Sequence, residues 1–188
     1  MIIKDGTGGA DTLNASDPTP RPTWGRRPPA PTTSTVAAAT TPSSSAPPTS
    51  SDFISGGSGI DAVDYSGRTN NLTLTIGATG NGEAGENDNI SDVDNVYGGG
   101  GHDTIVGDGL ANYLKGNGGN DTIIGGLGVD TIEAGNGNDR IRAEDGLVDV
   151  IDGGAGTDNS LIKSGSDLDV DRTSEGDSAM HLVTTMEN

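Results

Sequence analysis

Residues Gly98 to Arg142 read GGGGHDTIV, GDGLANYLK, GNGGNDTII, GGLGVDTIE and AGNGNDRIR, five nine-residue blocks with no gap between them. The sixth position holds Asp103, Asn112, Asp121, Asp130 and Asp139 in turn, and the eighth holds Ile105, Leu114, Ile123, Ile132 and Ile141. The first four positions are mostly glycine. A six-residue run of Gly, Asn and Asp follows backbone paths with positive φ, which glycine adopts at little steric cost. The triplet that remains is long enough for only a very short strand, with its middle side chain pointing one way. Alternating turns and three-residue strands predict a flattened coil in which two blocks make one circuit. The aliphatic residues then stack inside, and the Asp-bearing turns stack along two edges.

Such a coil has a thin core. One aliphatic side chain per block is too little apolar burial to offset the ordering of nine residues. The carboxylates stacked on each edge repel one another as well. A divalent cation between turns answers both problems, because it neutralises the acids and cross-links successive circuits. Carboxylate and carbonyl oxygens suit hard Ca²⁺ rather than zinc or copper. The chain has no cysteine and only two histidines, which argues against a softer metal. Several Ca²⁺ ions are the expected cofactors.

The pattern G-G-x-G-x-D-x-U-x, with U aliphatic, resembles the repeats-in-toxin family, the hemolysin-type calcium-binding repeats. That resemblance implies an all-β fold: a calcium-stabilised parallel β-roll, or two-sheet β-solenoid. It also implies how ions are held. In the family, one turn offers carbonyls from its second and fourth positions together with its Asp. The turn stacked on it offers carbonyls from its first and third positions together with its Asp. Carried over, Gly99, Gly101 and Asp103 share an ion with Gly116, Gly118 and Asp121. Asn117, Gly119 and Asp121 share the next with Ala134, Asn136 and Asp139.

With two blocks per circuit, turns eighteen residues apart share an edge. The first edge collects 98–103, 116–121, 134–139 and, after a one-residue slip beyond Arg142, 153–158 with Asp158. The second collects 107–112, 125–130 and 144–149. Asn112 there lacks the charge and 144–149 lacks the glycines, so sites near Asp130 and Asp149 depart from the pattern.

Around this array the chain divides into four parts. An isolated N-terminal repeat occupies 1–16, where GTGGADTLN places Asp11 sixth and Leu13 eighth. A disordered Pro/Thr/Ser-rich linker follows at 17–51 and holds all nine prolines. The β-roll covers 52–161. It includes GGSGIDAVD at 56–64, with Asp61 sixth, and an insertion at about 65–93. Within that insertion NLTLTI at 71–76 reads as a half-buried strand and 81–89 as a polar, acidic loop. A polar C-terminal tail spans 162–188.

Composition bounds the function. Glycine is 32 of 188 residues, aromatics are 3% and the formal net charge is −18. Residues 1–50 hold only three of the 28 acids but four of the 10 bases, so the acidity sits in the repeats. A chain this acidic disfavours nucleic acid and anionic membrane surfaces, and no run is long and apolar enough for membrane insertion. There is no GxSxG, HExxH or cysteine nucleophile, so no enzyme activity is expected of these residues. GNGEAG at 80–85 is a literal GxGxxG, but no helical pattern follows it, as a dinucleotide site requires. His102 and His181 read as exposed and idle.

The reading that results is a secreted, extracellular, non-catalytic calcium-binding module that folds on Ca²⁺ outside the cell. The resemblance also implies a type I export machinery as partner, with the tail as a candidate signal. The alternative is a C-terminal fragment of an exported enzyme or adhesin: a protease, lipase, alginate epimerase or cell-surface protein. A weaker idea is carbohydrate contact through Thr104, Thr122 and Thr131, all at seventh positions.

Overall fold

The computed structural model describes residues 2–3, 12–14, 33–37, 51–143, 145–162 and 168–169. Among the described residues every regular element is a strand. They are Ile2–Ile3 (β1), Thr12–Asn14 (β2), Thr33–Ala37 (β3), Phe53–Ser55 (β4), Ile60–Asp64 (β5), Leu72–Thr75 (β6), Ala78–Glu83 (β7), Asp88–Ser91 (β8) and Asn95–Tyr97 (β9). The array continues with Thr104–Val106 (β10), Tyr113–Gly118 (β11), Thr122–Ile124 (β12), Thr131–Asn136 (β13), Arg140–Ala143 (β14), Val150–Ala155 (β15), Asn159–Ile162 (β16) and Leu168–Asp169 (β17).

These strands form two sheets, and the chain alternates between them. The first sheet runs β1-β3-β5-β9-β11-β13-β15-β17 and the second β16-β14-β12-β10-β6-β7-β8-β4-β2. Pairing is parallel throughout the repeats, as the two-block circuit requires. Ile105 lies beside Ile123 and Ile123 beside Ile141, each eighteen residues on, while Leu114 pairs with Ile132 and Ile132 with Ile151. Those eighth-position residues are fully buried and meet between the sheets. The fold is an all-β parallel β-roll.

The slip after Arg142 is visible as a nineteen-residue step, Ile141 to Ser160 and Ile132 to Ile151.

The structure differs from the sequence reading at four places. The repeat at 1–16 is not isolated, because β2 pairs in parallel with β4, Leu13 opposite Ile54. Most of the linker lies outside the described residues, but Thr33–Ala37 is a strand paired with β5, Thr33 opposite Ile60. TSTVA is free of proline and rich in β-branched residues, so it can extend a sheet edge. At the other end β17 adds a strand beyond 161, Val150 opposite Leu168.

The fourth difference is the insertion. β6 forms as expected, but 81–89 is not simply a loop: β7 and β8 pair antiparallel with each other, and β7 pairs antiparallel with β6. GNGEAG therefore leads from β7 into β8, not into a helix. The three strands sit wholly in the second sheet, between β4 and β10. The first sheet passes straight from β5 to β9, Val63 opposite Val96. The roll thus continues across the insertion. A polar knot holds the insert in place, with Arg68 donating to Glu83 and Glu86 at 2.9 and 3.0 Å and the Tyr65 hydroxyl donating to Asp88 at 3.2 Å.

Candidate metal centre

Along the first edge each Asp is tied to the preceding circuit through one of its two oxygens. The Asp103 N–H donates to Asp121 Oδ1, that of Asp121 to Asp139 Oδ1 and that of Asp139 to Asp158 Oδ1, each at 2.8 Å. At the head of the column the Leu72 N–H donates to Asp103 Oδ1 at 2.9 Å. Register between turns is therefore set by the carboxylates themselves.

The second oxygen is where the chemistry lies. Oδ2 of Asp121 and Oδ2 of Asp139 are buried and have no hydrogen-bond partner. An orphaned carboxylate oxygen sealed from water is strongly unfavourable unless a cation meets it. Other oxygens converge on the same places. A Cβ at Gly116 would collide with both Asp121 Oδ2 and the Ala134 carbonyl. One circuit back, a Cβ at Gly98 would lie 2.7 Å from Asp103 Oδ2 and 2.9 Å from the Gly116 carbonyl. The absence of a side chain at these first positions lets a carboxylate and a carbonyl of the next turn approach together. This repeated cradle brings the Asp103 carboxylate beside the Gly116 carbonyl and the Asp121 carboxylate beside the Ala134 carbonyl.

Among the described residues no three Asp, Glu or His side chains converge. A cation here would take most of its donors from the main chain, which fits Ca²⁺ better than a metal needing several side chains. The other residues of the expected sets lie in the same stacked turns. Carbonyls of Gly101 and Gly119 abut Gly119 and Gly137 one circuit on. Asn117 holds a left-handed φ of 76°, and its Nδ2 donates to the Gly98 carbonyl at 2.7 Å. The Gly99 and Asn136 carbonyls already accept the N–H groups of Gly118 and Gly119, at 3.1 and 2.9 Å.

Burial raises these acids. Asp121 is pushed up to about 7, with Asp103 and Asp139 adding repulsion, and Asp139 to about 6, with repulsion from Asp158. Asp103 is also raised by burial. An edge that resists its own ionisation is one that a divalent cation relieves.

The second edge has the same scaffold and different contents. The Asn112 N–H donates to Asp130 Oδ1 at 2.9 Å, and that of Asp130 to Asp149 Oδ1 at 2.8 Å. Asn112 completes itself without an ion: Oδ1 accepts from the Asp108 N–H at 2.9 Å and Nδ2 donates to the Asp94 carbonyl at 3.2 Å. Asp130 is pushed up to about 6, first by burial and then by Asp149. Asp61 stands further along this edge, where its N–H donates to Asp94 Oδ2 at 2.7 Å.

Sequence reasoning missed a second ladder, on the fifth positions of the first edge. The His102 N–H donates to Asn71 Oδ1 (2.9 Å), and the Asn120 N–H donates to His102 Nδ1 (2.6 Å). The Asn138 N–H then donates to Asn120 Oδ1 (2.8 Å) and the Thr157 N–H to Asn138 Oδ1 (2.9 Å). His102 is thus a rung and not an idle side chain. The visible signal was the recurrence of short polar acceptors at position five. Of the seventh-position threonines, Thr104 and Thr122 are neighbours in the second sheet and Thr131 belongs to the first. His181 lies outside the described residues.

A comparison with curated proteins gave no match. A family profile described as RTX calcium-binding nonapeptide repeat (4 copies) matches residues 91–114, 106–141 and 148–167. Those are the segments whose turns carry Asp103, Asp121, Asp130, Asp139, Asp149 and Asp158, and they indicate calcium binding. The matched segments, within residues 91–167, are thus similar to the RTX calcium-binding nonapeptide-repeat family.

Proposed function

We propose that the chain is the calcium-responsive, non-catalytic module of an exported protein, weakly ordered without the ion and folded once outside the cell. The observation that carries this reading is the pair of buried, partnerless oxygens, Asp121 Oδ2 and Asp139 Oδ2. Asp103, Asp121 and Asp139, with carbonyls of Gly116 and Ala134 beside them, are the residues that would hold Ca²⁺. Bound there, the ion supplies positive charge to the acids and a tie between circuits. The chain's own residues do the rest: the carboxylate Oδ1 atoms fix register and the glycines keep the approach open.

Export fits the same physics. A net charge of −18 and a core one side chain deep favour an extended chain in calcium-poor surroundings, suited to passage through a type I channel. Calcium outside the cell then shifts the chain to the coil by mass action. The test is a calcium titration followed by far-UV circular dichroism and small-angle scattering. Strand content should rise and the radius fall on adding millimolar Ca²⁺, with Mg²⁺ a poor substitute because it keeps its waters. Identical spectra and radii in chelator and in Ca²⁺ would rule this reading out.

A further inference from the structure

The two edges of the coil differ in a way that ion binding does not call for. On the first, the fifth-position side chains of Asn71, His102, Asn120 and Asn138 are engaged in the ladder. On the second, Leu110, Leu127, Val129, Leu147 and Val148 are 67%, 63%, 55%, 47% and 42% exposed. They come from three consecutive turns that stack directly: the Leu127 N–H donates to the Asp108 carbonyl at 2.9 Å and the Gly128 N–H to Asp145 Oδ2 at 2.7 Å. No large apolar side chain is exposed in the described turns of the first edge. In so polar a chain, a stacked aliphatic stripe on one edge marks an interaction surface.

Its shape and charge narrow what fits. A Cβ added at Gly109 or Gly146 would meet nothing within 4 Å. Leu127 therefore stands as a ridge between two open notches, with Leu110 and Leu147 beyond. Three turns at ~4.8 Å per rung give a stripe about 15 Å long. With an edge about as wide as the ~10 Å between packed sheets, the stripe covers roughly 150 Å², far below the ~800 Å² per partner of a stable interface between folded domains, so one secondary-structure element is the right size of guest. The charged side chains described in these turns, apart from the ladder carboxylates Asp130 and Asp149, are Asp108 and Asp145, and no Lys or Arg occurs there. A second copy would bring the same acids and another net charge of −18, and an anionic lipid surface would be repelled likewise.

We propose that this edge docks a basic amphipathic segment of another protein. Its apolar side chains straddle Leu127 and enter the notches at Gly109 and Gly146, while its Lys or Arg residues meet Asp108 and Asp145.

The test uses the full chain in Ca²⁺ and two labelled Leu/Lys peptides of one composition, one ordered to give an apolar face and one scrambled to abolish it. The amphipathic peptide should bind about tenfold or more tightly than the scrambled one, and Leu110→Ser/Leu127→Ser should remove that difference. Because both leucines are exposed, the variant's circular dichroism and calcium midpoint should match the parent's. Equal binding of the two peptides, or binding that ignores the substitutions, would reduce the effect to bulk charge attraction and overturn the proposal. Concentration-dependent dimerisation lost in the variant would instead name a second copy as occupant. Tighter association with phosphatidylcholine vesicles than with the peptide would name lipid, and either result defeats the proposal.

Discussion

Asp103 and Asp121, eighteen residues apart, are joined by a 2.8 Å hydrogen bond from the Asp103 N–H to Asp121 Oδ1. One carboxylate thus does two jobs. Oδ1 aligns a circuit with the next, and Oδ2 is left facing inward with no donor. Asp121→Asn keeps the aligning oxygen and discards the charge, which reproduces the chemistry of Asn112 on the other edge. The calcium midpoint should rise about tenfold or more, equivalent to ~1.4 kcal/mol. Strand content in chelator should rise, since a buried charge has been removed. Asp130→Asn, beside the self-satisfied Asn112, should shift the midpoint less. Equal shifts in parallel titrations would show that the edges are equivalent.

The pH dependence without calcium should run opposite to that of most proteins. Burial lifts Asp121 to about 7 and Asp139, Asp130 and Asp88 to about 6, above the 3.8 of a free Asp. Between those values the folded chain holds protons that the unfolded chain has released, so stability falls as pH rises from about 4 to about 7. Ion-free protein should show more strand by circular dichroism at pH 5 than at pH 8. In saturating Ca²⁺ the contrast should vanish or reverse, because protons and the ion compete for the same oxygens.

The fifth-position ladder should tune ion affinity without touching an ion. Asn120→Ala with Asn138→Ala removes two acceptors and leaves every Asp in place. Each loss should cost on the order of 1 kcal/mol of turn alignment. The calcium midpoint should therefore rise several-fold. His102→Asn, which keeps an acceptor at that rung, should leave the midpoint close to that of the parent chain. A double variant that titrates like the parent would show the ladder to be incidental.

Residues 1–50 should contribute stability but not calcium response. β1, β2 and β3 add rungs to the ends of both sheets through β4 and β5. In a solenoid each rung interacts with its neighbours only. A chain beginning at 51 should keep its calcium-induced strand signal and lose roughly 2–8 °C in thermal midpoint, for 1–2 kcal/mol of interface. Loss of the calcium response itself would mean that these rungs are integral to the fold.

The period made the coil readable. A nine-residue frame with an aliphatic eighth position dictates sheet, face and circuit together, and Ile105, Ile123 and Ile141 stack in one sheet as that frame requires. The insertion was less legible because its strands are not periodic: GNGEAGENDN has the composition of a loop. Its order comes from non-local contacts, Arg68 with Glu83 and Glu86, and Tyr65 with Asp88. TSTVA was hidden differently, by proline-rich neighbours that set the expectation for the whole segment. The apolar edge was in plain view at Leu110, Leu127 and Leu147, but a variable position within a repeat carries no signal until the turns are stacked.

The antiparallel block in the second sheet has a kinetic consequence. Every parallel rung joins residues at least eighteen apart, whereas β6–β7–β8 pairs residues only seven to twelve apart, as in Asn81 with Asp88 and Ala78 with Ile90. Closing so short a loop takes little chain entropy, so this block is the place where ordering can begin before distant contacts exist. The roll then has a built-in starting point near its middle, from which coils add outward in both directions as calcium arrives. Pulse-labelling hydrogen exchange after a calcium jump should find amides of 72–91 protected ahead of those in 122–155, and the reverse order would place the nucleus in the repeats.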